Sequence, residues 1–347
     1  MLTIYRTPAE GVNLLMSPVA EMQKGDWINL VNPTPEEIRT VAEQTGIQEE
    51  FIRYPLDDEE LARVETDDGQ ILIIVNVPTV TDGAVIYDTV PLGIVLNDEY
   101  IVTVSLKELD LYRNFAVGRI KSAATFKKTR LILQILQTQT NIYLKSLRDI
   151  NRRYDVLEER LRNNMDNEDL NSLLDLQKSL VYFTTGLRSN DKVMEKLFRT
   201  RTIRMYEEDR DLLDDVIIEN KQAVEMADVS TTILRNSMDA LASISNNNLS
   251  KVMNFLTVIT LMVAVPTFIT SFFGMNLPMP LAANPLMTCI VFAICLASGL
   301  LCFVMLRSMN PMNRPLSQSA SKAVLVAACG VILLLALLLV LLLLHLV

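Results

Sequence analysis

Histidine is almost missing from this sequence: the single His345 sits in an apolar run near the end of the 347 residues. Residues 1–250 therefore hold neither a Ser-His-Asp triad nor a histidine-liganded zinc site. Cysteine is as scarce. Cys289, Cys295, Cys302 and Cys329 all lie in the apolar C-terminal part, where they read as small buried side chains. The first 250 residues thus carry no disulfide framework and no zinc knuckle. No glycine-rich phosphate loop with a following lysine occurs, so nothing points to ATP-driven pumping, and no motif supports an enzyme or a resident cofactor. The opening MLTIYRTPAE lacks a basic flank and apolar run. No secretory signal is expected, and the polar part is expected in the cytoplasm.

Acidic side chains stop at position 250. All 41 Asp and Glu precede Lys251, and beyond it the only charges are Lys251, Arg307, Arg314 and Lys322. Residues 1–250, with 28 Lys and Arg against 41 acids, carry a formal charge of −13. That balance argues against a sequence-independent grip on nucleic acid. The rest of the chain is apolar. Residues 255–273 run for 19 positions without a charge, 285–306 for 22, and 323–347 for 25 interrupted only by His345. A span needs about 20 residues to cross the hydrocarbon. The loop 274–284 is uncharged, whereas Lys251 and Arg307 flank the first pair of runs, which places both flanks inside and the loop outside. The run 323–347 is a third span or a spurious extension of the reading frame.

Before residue 118, GDWINL, GQILIIVNVP, AVIYDTVPLGIVL and EYIVTVS are β-branched or aromatic runs bounded by Gly, Pro and acidic turns, the pattern of strands. Thr34-Pro35-Glu36-Glu37 opens a helix, with Thr34 as N-cap, Pro35 in the first turn and Glu37 closing a capping box. A small α/β domain is expected over 1–118. Glycine is then absent from 119–185 and 187–273, and proline from 92–265, so long helices are expected over 119–254. Residues 163–167 and Gly186 are expected as turns of a helical hairpin. From about Asp191 one helix can run into the first span; counted from Leu187 to Val265 it would be a stalk of about 118 Å. Leu213, Ile217, Val224, Ala227, Leu234, Met238 and Leu241 fall on a 4-3 repeat, with Asn220 and Thr231 in its gaps. This is the seam of a helix packed on parallel copies or neighbours.

Within the first span, Thr260, Ala264, Thr267 and Ser271 are spaced 4, 3 and 4, one face of small or hydroxyl residues on a helix otherwise built from Leu, Val, Ile and Phe. Such a face suits close helix packing; it equally suits a water-filled path. The span ends in Phe272-Phe273-Gly274-Met275-Asn276, and a second span begins about a dozen residues later. In that setting Gly274-Met275-Asn276 resembles the signature of the CorA family of magnesium channels. The junction from Asn248 to Thr257, Trp27-Ile28-Asn29-Leu30 and Leu61-Ala62-Arg63-Val64-Glu65 extend the resemblance over about residues 1–306.

The resemblance implies an α/β cytoplasmic domain with long stalk helices and transmembrane helices, assembled as a funnel-shaped homopentamer. It implies two transmembrane helices over 255–306, with 307–347 left as a basic linker and extra apolar segment. It implies Gly274, Met275 and Asn276 as the ion-selectivity motif, Asn276 meeting the metal through hydrating water, as suits an ion that dehydrates reluctantly. Met253, Leu256, Thr260, Ala264, Thr267 and Ser271 would line the pore, with Met253 and Leu256 as a hydrophobic constriction. Mg2+ would be both substrate and regulatory ligand, with Co2+ or other divalent cations as further partners, in the inner or plasma membrane. The family's regulatory site maps to Asp215 on the stalk. Arg53 and Tyr54 stand where its partner acids are expected, with Asp57 and Asp58 as the nearest substitutes. The loop after Asn276 lacks the acid that many members carry, which keeps a zinc-transporting relative as an alternative. A membrane-anchored coiled-coil scaffold is a third reading.

Overall fold

The computed structural model describes residues 1–7, 17–81, 86–116, 118, 120, 123–163, 166–200, 203–274, 290, 293–295 and 297–299. They belong to two compact units, 1–241 and 242–347.

The first unit is organised on a seven-stranded sheet. Its strands are β1 (Leu2–Arg6), β2 (Ser17–Val19), β3 (Trp27–Val31), β4 (Arg63–Asp67), β5 (Gln70–Val80), β6 (Tyr87–Leu96) and β7 (Ile101–Ser105), in the order β2-β1-β3-β7-β6-β5-β4. All neighbours are antiparallel except β3 and β7. The central strands are apolar on both faces, as a sheet covered on both sides requires. On one face Ile28, Leu30, Leu72, Ile74, Val102 and Val104 meet Ile38 and Val41 of α1 (Pro35–Thr45) and Phe51 and Ile52 of α2 (Glu49–Arg53). On the other, Trp27, Ile73, Val75, Leu92 and Ile94 pack with residues of the later helices. Trp27 is fully buried and its indole Nε1–H donates to Thr103 Oγ1 at 2.9 Å.

The first helix starts where local chemistry sets it. The Glu37 amide donates to Thr34 Oγ1 at 3.2 Å and the Thr34 amide to Glu37 Oε2 at 2.9 Å, a closed capping box. Behind α2, a 3-10 turn (Tyr54–Leu56) lays Pro55 against the sheet at Gly93.

Four more helices follow up to residue 273: α3 (Asp110–Ala116), α4 (Lys128–Asn163), α5 (Asn167–Thr200) and α6 (Glu207–Phe273). Gly186 corrects the expected turn, because it lies in the middle of α5. A Cβ there would stand 2.7 Å from the Tyr143 hydroxyl and 3.2 Å from Asn76 Cβ; the glycine is a close-approach point, not a breaker. The expected run from Asp191 into the span is corrected as well. α5 stops at Thr200 and a new helix begins at Glu207, capped by Asp209 Oδ2, which accepts from the Tyr206 amide at 3.3 Å. The 67 residues of α6 correspond to about 100 Å of helix.

Up to Leu241 the 4-3 seam of α6 packs on the chain's own α4 and α5. Leu213 and Ile217 join the cluster on the sheet, while Ala227, Leu234 and Leu241 join a second one with Leu147, Leu176 and Phe183. Buried Gln139, Asn190 and Asn220 fall along the helices between the residues of those two clusters. Asn190 exchanges two hydrogen bonds with the backbone of Asn76, both 2.8 Å, and Asn220 Nδ2 donates to Leu187 O at 3.2 Å. Such a polar layer penalises sliding of one helix past another, since any other register would bury amides against leucine.

Candidate functional site

Residues 249–268 of α6 show large apolar side chains on nearly every side: Leu249, Val252, Met253, Phe255, Leu256, Leu261, Val263 and Phe268 are all exposed. One stretch of this helix is long and apolar enough to cross a membrane. Helix periodicity sorts the face. At about 100° per residue, Met253, Leu256, Thr260, Ala264, Thr267 and Ser271 fall within one strip about 80° wide, and all six are exposed in the single chain. On the opposite side Val258 is 8% exposed and Met262 and Pro266 are half-buried. The six expected pore-lining residues thus share one exposed strip, and Val252, Phe255 and Leu261 outside it are exposed as well.

The strip's two threonine hydroxyls have a fixed polarity. Thr260 Oγ1 donates to Leu256 O at 2.8 Å and Thr267 Oγ1 to Val263 O at 2.7 Å. With the hydrogen committed to the helix, only oxygen lone pairs remain to face outward. Acceptors without donors suit a hydrated cation. Pro266, inside the helix, has no amide N–H, so the Met262 carbonyl loses its helical donor. The Thr270 hydroxyl lies 3.0 Å from both Pro266 O and Thr267 O and shares its one hydrogen between them, which ties the following turn. The Gly274 amide donates to Thr270 O at 2.9 Å and closes the helix. Met275 and Asn276 lie outside the described residues, as do 323–347.

The expected regulatory residues are separate. Asp215 is exposed on α6, and Asp57 and Asp58 are exposed just after the 3-10 turn. Among the described residues no group of three or more His, Cys, Asp or Glu is placed to hold a metal. The departures at the neighbouring positions are satisfied in place. Arg53 pairs with Glu49 one turn earlier, and the Tyr54 ring stacks under the Arg63 guanidinium at 4.9 Å.

The sequence reading missed Glu219, one turn after Asp215. One of its carboxylate oxygens is buried without a partner among the described residues. Its pKa is raised, first by burial and then by the charge of Asp215. The unfolded chain therefore loses this proton before the folded one does, and stability falls as pH rises through and above the ordinary carboxylate range. Glu219→Gln is expected to stabilise the neutral-pH protein by about 0.5 kcal/mol, the scale of an i,i+4 like-charge pair, and to change little at acid pH. Thermal unfolding of both proteins across that range checks it; a lower midpoint for the glutamine variant at neutral pH would contradict it.

Comparisons with known proteins identify the family and the fold. The model of the CorA-like Mg2+ transporter protein family matches residues 22–307. The "Cobalt/magnesium transport protein CorA" of Methanocaldococcus jannaschii is 29% identical over 269 residues, covering 75% of this chain and 82% of that protein. The complete structure of the CorA magnesium transporter from the same organism superposes with a TM-score of 0.76 at 24% identity, covering 88% of this chain and 97% of the other. The cytoplasmic domain of ZntB from Vibrio parahaemolyticus shares the fold more distantly, with a TM-score of 0.54 at 12% identity over 71% of this chain and 98% of that domain. Members of this family are membrane proteins that move metal ions and are not enzymes. The chain belongs to the family of CorA-like Mg2+ transporter proteins.

Proposed function

We propose that this chain is a passive divalent-cation channel for magnesium uptake, with cobalt as a surrogate. It acts as a funnel-shaped homopentamer in the cell membrane, its acidic α/β part in the cytoplasm. The observation that carries the reading is the exposed strip from Met253 to Ser271, on which Thr260 and Thr267 donate their hydroxyl hydrogens back into the helix. Five copies of that strip would enclose a path for a hydrated ion, narrowing at Met253 and Leu256, where apolar walls can close by dewetting. Gly274, Met275 and Asn276 form the outer selectivity motif in this reading. No pump is needed: a divalent ion moving inward across about 100 mV gains roughly 4.6 kcal/mol. The kinship to a relative named for cobalt and magnesium transport supports the substrate class.

The test is uptake by purified protein in liposomes with an inward-negative potential. Magnesium influx that cobalt competes against is expected. Influx of zinc but not magnesium would move the chain to a zinc-transporting function, and no divalent flux would leave a scaffold.

Intracellular magnesium closes the channel in this reading. A −13 cytoplasmic part gathers divalent ions, and like charges at subunit boundaries repel until a cation bridges them. Asp215, with Asp57 and Asp58 of a neighbouring copy, is the proposed regulatory set. A tenfold preference for the closed state at each of four or five sites approaches the roughly 5.5 kcal/mol of a full population shift. Asp215→Ala is expected to keep full flux while losing about tenfold or more in sensitivity to internal magnesium. Wild-type flux indifferent to internal magnesium would remove the feedback.

A further inference from the structure

A depression of about 990 Å3 opens in the first unit between α3, α4 and the ends of β5 and β6. Its charge runs against the rest of the molecule. Arg113 of α3 and Lys145, Arg148 and Arg152 of α4 line it, all four exposed, and none lies within ion-pair distance of a described carboxylate, whereas fifteen other such pairs form. Two acids also line it, Asp110 and Asp149. Asp149 is already committed: it accepts from Arg153 Nε at 2.7 Å and from the Tyr87 hydroxyl. Its pKa is held down first by the Arg153 hydrogen bond and then by that of Tyr87, with Arg152 adding its charge from nearby.

Lys145, Arg148 and Arg152 form an i, i+3, i+7 row, about 10 Å long on one face of α4. Like charges so placed destabilise a helix unless an anion joins them. The row matches a linear chain of phosphates better than a single one, and guanidinium forks bind phosphate oxygens two at a time. Beside the cations, Val80, Ile120 and Ile142 supply an apolar wall, and Val80 is 63% exposed. Thr79 and Asn141 lie on the same lining.

We propose that this depression binds an oligophosphate anion of the nucleoside polyphosphate class, the phosphates along Arg113, Lys145, Arg148 and Arg152 and the nucleoside against Val80, Ile120 and Ile142. No hydrolysis is involved, and the site does not depend on the transport reading, so its failure would leave ion flux as it is. The test is calorimetric titration of ATP, tripolyphosphate and inorganic phosphate into the full-length protein in detergent, at one fixed free magnesium concentration. ATP is expected to bind saturably and more tightly than either of the other two. Lys145→Glu with Arg148→Glu is expected to weaken it about a hundredfold, about tenfold for each cation removed, while Lys145→Arg keeps the affinity. Both positions are exposed, and an unchanged unfolding midpoint verifies the fold. No saturable binding of ATP, or binding that the double variant leaves intact, overturns the site. Tripolyphosphate binding as tightly as ATP overturns the nucleoside assignment.

Discussion

Replacing Asn276 with alanine is expected to abolish magnesium uptake while leaving assembly and unfolding temperature unchanged. The residue comes two positions after Gly274, just past the hydrogen bond that closes α6, so it stands in sequence at the outer end of the proposed pore. Its amide oxygen is a strong neutral acceptor. In a ring of five copies, each oxygen would hold one water of the ion's shell. A hydrogen bond of this kind contributes about 1 kcal/mol. Losing five together would cost about 5 kcal/mol, more than a thousandfold in ion occupancy. Alanine removes the acceptor without adding bulk, so the pore stays open to water but no longer selects the hydrated cation. Stopped-flow uptake into proteoliposomes reads the outcome. Flux within about twofold of wild type, against the thousandfold expected, would take Asn276 out of the selectivity motif.

Gly93→Ala is expected to be the most damaging single-methyl change in the cytoplasmic part. A Cβ at this point of β6 would lie 2.0 Å from Pro55 Cγ and 2.7 Å from Pro55 Cβ. A proline ring cannot rotate away, and the 3-10 turn that carries it is anchored by buried Phe51 and Ile52. Beside it in the sheet Gly93 is paired with Ile74 and Val104, and on the opposite face its neighbours Leu92 and Ile94 are fully buried in the other cluster, so the strand cannot retreat. Overpacking of this kind costs about 3 kcal/mol or more, which for a unit of this size lowers the unfolding midpoint by about 6–12 °C. Circular dichroism of the purified full-length variant measures it; a midpoint within about 1 °C of wild type would mean that the turn yields freely. The same push would move Asp57 and Asp58, which directly succeed the turn, so under the proposed regulation weaker inhibition by internal magnesium should accompany the loss of stability.

Local signals were readable in the sequence. The capping box at Thr34 and Glu37 depends on four consecutive residues, and it forms as expected. The runs that became β3, β5, β6 and β7 announced themselves through β-branched side chains, whereas β1, β2 and β4 are short or mixed and passed unnoticed. Sheet order was not readable, because the parallel pairing of β3 with β7 joins segments some seventy residues apart. Gly186 misled for a similar reason: its role is set by Tyr143 and Asn76, which no local pattern brings to it. The break before α6 contains neither Gly nor Pro. A signal was nonetheless present in Arg199, Arg201 and Arg204 ahead of Glu207, Glu208 and Asp209, cations where one helix ends and acids where the next begins. The strip from Met253 to Ser271 could be drawn from the sequence because helix periodicity alone defines it, and α6 supplies the helix. Glu219 was hidden, since only packing buries one of its oxygens.

The arrangement of the sheet also has a consequence for synthesis on the ribosome. The face formed by Ile73, Val75, Leu92 and Ile94 is covered by side chains as late in the chain as Val193, Leu197 and Leu213, and Lys196 reaches back to the Val64 carbonyl at 2.8 Å. When β7 has emerged, those covering residues are still about a hundred codons away. At roughly 5–20 residues per second, the nascent sheet waits about 5–20 s for this last part of its cover, after Leu131 and Leu136 of α4 have supplied the first. Chaperone capture on stalled chains should peak once β7 is out and fall when α5 has cleared the exit tunnel.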